Sequence, residues 1–77
     1  MKACILIKTS PGLQASVCEA MEEIPAVKAV FPVVGRTDIV VSLAVTSFLD
    51  LIKVIEKAKK QEGVTATETL VEMEEME

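Results

Sequence analysis

The chain has no histidine, no tryptophan and no tyrosine, and its aromatic residues are Phe31 and Phe48 alone. Without histidine, the commonest general base and metal ligand is missing. With only two aromatic faces, stacking on nucleobases is effectively unavailable. Cysteine is equally scarce: Cys4 and Cys18 form neither a disulfide framework nor a zinc-ligand spacing, and are expected as buried, reduced thiols. Long apolar runs are absent too, since Ala3 to Ile7 is far too short for a signal-peptide core or a membrane span. That points to a cytoplasmic protein without a membrane partner. The net charge is −4 and the basic residues are scattered rather than gathered in a stripe, which argues against direct nucleic-acid binding. The acids gather at Glu72-Met73-Glu74-Glu75-Met76-Glu77, which reads as a solvated tail over residues 73–77.

What remains is aliphatic. Seventy-seven residues allow one domain, and a domain of this size buries only about 60% of its unfolded surface. The core must come from Val, Ile, Leu, Ala and Met. Ala3 to Thr9 favours a strand and stops at Ser10-Pro11-Gly12, where Ser10 is the expected N-cap of a first helix. Leu13, Val17, Ala20, Met21 and Ile24 recur on one helical face, and Pro25 ends that helix. Val27 to Val34 is a second strand, interrupted by Pro32, which cannot donate to a ladder and so demands an edge or a bulge. Asp38 to Val45 is a third strand, and Thr46 or Ser47 caps a second helix with a stripe of Phe48, Leu51, Ile52, Ile55 and Ala58. Lys57, Lys59 and Lys60 suit its C-terminal dipole. Gly63 closes this helix and Val64 opens a last strand running to about Glu72.

The order strand, helix, strand, strand, helix, strand predicts an α+β fold of the ferredoxin-like βαββαβ type: a four-stranded antiparallel sheet with two helices on one face. Two helices cover one face, so a monomer should carry polar residues on the other. It does not: Ala3, Ile5 and Ile7 alternate with Cys4 and Leu6, and Ile39, Val41 and Leu43 alternate with Val40, Ser42 and Ala44. An open apolar sheet exceeds what soluble monomers usually expose. Covering roughly 500 Å² at about 25 cal/mol per Å² contributes on the order of 12 kcal/mol, against several kcal/mol of association cost. A homodimer joined through the sheets, an α/β-barrel-like assembly, is the expected state.

Two segments carry the candidate chemistry. Gly35-Arg36-Thr37-Asp38 is a hairpin connection in which glycine supplies an unusual φ, and Asp38 can accept hydrogen bonds from nearby backbone amides. The same residues can receive a zwitterion, with Arg36 or turn amides meeting a carboxylate and Asp38 an ammonium. Thr65, Thr67 and Thr69 alternate along the last strand and share a face; threonine is a common strand residue, and three hydroxyls in register also suit a small polar ligand.

Together these segments resemble the effector-binding domain, of the RAM type, of the leucine-responsive/asparagine (Lrp/AsnC) family of transcription regulators. The likeness spans the whole chain: a helix ending near a Pro-x-Val, a Val-rich strand, a Gly-x-x-Asp hairpin, a second helix, then Gly-Val leading into a Thr-rich strand. The resemblance implies a non-enzymatic module without cofactor or metal, comprising one effector-binding domain over residues 1–72. It implies sensing of an amino acid and self-association as a dimer or a larger ring such as an octamer. It also implies partnership with a related DNA-binding regulator, because no helix-turn-helix precedes the first strand here. Carried over by position, the effector-binding residues are Gly35, Arg36, Thr37, Asp38, Thr67 and Thr69. The third hairpin position, often aromatic in that family, is Thr37. Since the hairpin and the last strand occupy opposite edges of the predicted sheet, a site using both is expected to need more than one chain. An ACT-like amino-acid-binding module or a small dimeric monooxygenase-like enzyme shares the element order. The latter would usually place His, Tyr or Trp in its pocket.

Overall fold

Alternation of apolar residues along β1 (Lys2–Thr9) and β3 (Ile39–Ala44) sets the architecture. The structure is a computed structural model and describes residues 1–73. β1 and β3 pair antiparallel at the centre of a sheet of order β2-β3-β1-β4, with β2 (Val27–Pro32) and β4 (Val64–Val71) at the edges. Helices α1 (Gln14–Glu22) and α2 (Phe48–Lys59) complete the ferredoxin-like order. Pro32 does end an edge strand, which meets the demand of a residue that cannot donate to a ladder, and β2 also shifts register at its other end, between Val27 and Ala29.

The core lies between sheet and helices. Ile5, Ile7, Ile39, Val41 and Leu43 from the central strands meet Val17, Met21, Leu51 and Ala58 from the helices. The neighbouring positions Cys4, Leu6, Val40, Ser42 and Ala44 are half-buried on the face the helices leave open.

Three local expectations change. Ser10 does not cap α1: the Leu13 amide donates to the Ser10 carbonyl (3.1 Å), so Ser10-Pro11-Gly12 is a turn of its own and the helix begins at Gln14 without a side-chain cap. Ser47 does cap α2, accepting from the Asp50 amide (3.1 Å). The buried stripe of α2 is Leu51, Val54 and Ala58, whereas Phe48 and Ile52 are exposed. Apolar residues at 48, 49, 51, 52, 54, 55 and 58 form two overlapping stripes, and periodicity alone does not choose between them. Third, Cys4 and Cys18 are free thiols but half-buried rather than buried.

Gly63 shows why that position takes no side chain. Its φ is +98°, and a Cβ there would lie 2.7 Å from the Cβ of Leu13, where the α2–β4 turn packs under the start of α1. Among the described residues, no helix is long and apolar enough to cross a membrane. The expected acidic tail lies, apart from exposed Met73, outside the described residues.

Candidate functional site

The β2–β3 hairpin is tied down at its base rather than left free. The Asp38 amide and the Thr37 hydroxyl both donate to the Ile7 carbonyl, each at 2.9 Å, so one oxygen near the end of β1 holds two hairpin groups. The Asp38 carboxylate accepts from the Thr9 amide at 2.8 Å. The Asp38 carbonyl accepts from the Gln14 side chain at 2.7 Å and from the Val33 amide at 2.9 Å. Asp38 is thus a knot between β1, α1 and the hairpin. Such a charge-assisted bond to a half-buried amide contributes roughly 1.5–3 kcal/mol. The amide it serves lies across the sheet, not within its own turn. Gly35, at φ +148° with open space around it, lets the chain turn before this knot.

The hairpin, held to the end of β1, and the facing part of β4 border the same depression. Leu6, Lys8, Arg36, Thr37, Ala66, Thr67 and Glu68 line a cavity of about 760 Å³. Register explains which side it occupies: Lys8 faces Ala66 and Leu6 faces Glu68, so these four side chains stand on the open face of the sheet. Thr67 is paired with Ile7, which turns its side chain toward the helix-covered side while its residue borders the cavity. Thr69 pairs with Ile5 on that same covered side and does not line the cavity. The Thr65 hydroxyl donates to the Lys8 carbonyl at 3.2 Å, a strand-to-strand tie.

The structure therefore brings Arg36, Thr37 and Thr67 to one cavity within one chain. β1 alone separates β3 from β4, so hairpin and last strand border one cavity in a single chain through Arg36, Thr37 and Thr67, whereas Gly35 and Asp38 are not brought together there with Thr69, the arrangement expected to need a second chain. Gly35 and Asp38 shape the hairpin without lining the cavity. Leu6, Lys8, Ala66 and Glu68 were not among the sequence candidates. Their signal was available only as strand parity: Lys8 closes the row Lys2-Cys4-Leu6-Lys8 and Glu68 interrupts the row Ala66-Glu68-Leu70. Which rows share a face depends on pairing register, which the sequence does not print.

A second, shallower depression of about 330 Å³ lies further along the open face, bordered by Cys4, Ser42, Leu70 and Val71 with Lys2, Ala3 and Glu72. The Cys18 thiol on α1 is pushed above its ordinary value by burial, with Glu22 adding to the shift, so it stays protonated at neutral pH. Among the described residues, no group of three or more His, Cys, Asp or Glu side chains could hold a metal ion.

Comparison with known proteins follows the same lines. A family model described as the Lrp/AsnC ligand binding domain matches residues 2–77. The crystal structure of a Thermus thermophilus protein is 28% identical with a TM-score of 0.91, covering 99% of this chain and 96% of that one. A hypothetical protein from Pyrococcus horikoshii is 29% identical with a TM-score of 0.86, covering 96% of this chain and 90% of that one. AsnC of E. coli has a TM-score of 0.87 at 22% identity, a likeness of fold; it is covered over 51% of its length, so this chain spans about half of it. A comparison with curated protein sequences finds no match.

Proposed function

The chain belongs to the Lrp/AsnC ligand-binding domain family, and from that premise we propose that it is a non-enzymatic, amino-acid-sensing and oligomerising module. Its family makes it a regulatory domain. In this reading it works in the cytoplasm, associates through the open sheet face, and modulates transcription by assembling with related DNA-binding regulators rather than by touching DNA itself. A dimer is the basic unit, with larger rings built from it.

One observation carries the reading: the open apolar face and the charged cavity are continuous, with Leu6 belonging to both. A partner sheet laid on Cys4, Leu6, Val40 and Leu70 would bury aliphatic surface and at the same time roof the cavity beside the hairpin. Ligand occupancy and association would then be linked, each favouring the other by the same free energy. The cavity holds exposed Lys8, Arg36 and Glu68, groups suited to holding charge on a ligand, and the chain has no histidine to serve as an acid or base.

The test is a thermal-shift screen against the proteinogenic amino acids combined with light scattering over a range of protein concentrations. A ligand at ~100 Kd stabilises by about 2.7 kcal/mol, a clear shift for a small domain. The expected result is a dimer or larger species at micromolar concentration and at least one stabilising amino acid. A folded monomer that no amino acid stabilises would overturn the proposal.

A further inference from the structure

The cavity beside the hairpin presents three charges of two signs on an aliphatic floor. Lys8 and Glu68 lie on adjacent strands, two residues out of direct register along the β1–β4 ladder, so they are diagonal neighbours on the same face, roughly 7–8 Å apart at the backbone. Arg36 approaches from the hairpin, which the two bonds to the Ile7 carbonyl and the Thr9–Asp38 bond hold in place. Leu6 and Ala66 stand between the charges. The volume, about 760 Å³, is in the ordinary range for a small-molecule site.

We propose that this cavity selects an acidic amino acid, holding its two carboxylates on Arg36 and Lys8 and its ammonium on Glu68. The inference rests on the amino-acid-sensing reading and adds the ligand class. Charge matching distinguishes the candidates. Two cations and one carboxylate in the wall complement two carboxylates and one ammonium on the ligand. A neutral amino acid satisfies Arg36 and Glu68 but leaves Lys8 without a counter-charge. A simple dicarboxylate satisfies both cations and leaves Glu68 facing an anion. A basic amino acid adds a third cation beside Arg36 and Lys8, where like charges repel. Arg36 supplies a planar fork that meets a carboxylate in two parallel bonds, whereas Lys8 acts as a mobile point charge able to follow side chains of different length. The Thr37 hydroxyl donates its proton to Ile7 and keeps its oxygen lone pairs for an ammonium. Leu6 and Ala66 pack against the ligand methylenes. Under a covering second sheet these pairings would be desolvated, which sharpens discrimination between matched and unmatched charges.

Isothermal titration calorimetry on the full chain decides it, with L-glutamate, L-aspartate, their amides, glutarate, L-leucine and L-lysine as ligands, and Lys8→Gln and Glu68→Gln as variants. Both positions are exposed, and circular dichroism confirms that the variants are folded. The acidic amino acids are expected to bind about tenfold or more tighter than their amides, a charge pair's worth of discrimination. Lys8→Gln should narrow that gap to within about threefold, and Glu68→Gln should weaken L-glutamate while improving glutarate. An amide or L-leucine binding tighter than L-glutamate, or an acidic preference that survives Lys8→Gln, overturns the assignment of ligand class while leaving amino-acid sensing intact. No heat from any amino acid at millimolar concentration overturns both.

Discussion

Val40 and Val41 are neighbours of identical chemistry with opposite surroundings. Val41 is 0% exposed among the helices' side chains, while Val40 is half-buried on the open face. The same holds along β1, where Ile5 and Ile7 are at 0% and Leu6 between them is not. Composition does not separate the two faces; what covers each one does. On the helix side, α1 and α2 supply the cover from within the chain. On the other side the chain offers a comparably aliphatic surface with Lys8, Arg36 and Glu68 at one end and, among the described residues, no element of its own above it. A face that is apolar yet uncovered is what an interface between copies requires.

The largest expected contrast comes from placing a carboxylate on each face. Val41→Asp buries an unpaired charge among Ile5, Leu43 and the helices, costs several kcal/mol, and should leave the chain unfolded by circular dichroism. Val40→Asp should leave secondary structure intact and convert the assembly to a folded monomer by light scattering. If Val40→Asp leaves the oligomer unchanged, the open face is not the interface.

Truncation gives a smaller version of the same contrast. Ile7→Ala removes a fully buried side chain and should cost about 2–5 kcal/mol in urea unfolding. Leu6→Ala should raise the protein concentration at which the assembly dissociates, because its loss falls on association rather than on the core of one chain. Equal, concentration-independent losses at the two positions would erase the distinction between the faces.

Asp38→Ala tests the place where the hairpin bridges the two faces. Losing its bond to the Thr9 amide should lower stability by about 1–3 kcal/mol and weaken ligand binding by releasing Arg36 and Thr37, with the sheet otherwise retained. Asp38→Asn keeps an acceptor and should recover part of both effects. A variant with unchanged melting temperature would show that the knot is not needed to hold the hairpin.

The thiols give the smallest and most local readout. Cys18, its thiol pushed up by burial and by Glu22, should react slowly with iodoacetamide at pH 7 and faster as the pH rises toward its thiolate range, at a rate independent of protein concentration. Cys4, half-buried on the open face, should be protected increasingly as concentration favours the proposed dimer. A Cys4 rate that ignores concentration would argue that this face stays open to solvent.

Much of the fold is legible in the residues themselves. The six elements follow from alternation, from Pro25 and Pro32, and from the glycines at 35 and 63, because these residues restrict or free the backbone locally. The start of α1 is not, because Ser10 followed by proline carries the local signature of a cap, while the chain uses it in a turn bonded to Gly63. In α2, two overlapping apolar stripes leave the buried face undecided until the sheet selects Leu51, Val54 and Ala58. Of the hairpin, Arg36 and Thr37 line the cavity, and Asp38 stabilises it through an amide 29 residues away, a partner that no local pattern names.

The sequence by itself determined the family, the element order and the two-sided apolar sheet, since all three rest on residue type and short-range periodicity. The tertiary structure decided which face the helices cover, that the hairpin is bonded to the end of β1, and that Lys8 and Glu68 share a cavity with Arg36. Those facts depend on strand register and on hydrogen bonds between residues distant in the chain, such as Thr37 to Ile7, and pairing geometry becomes defined only when the strands meet.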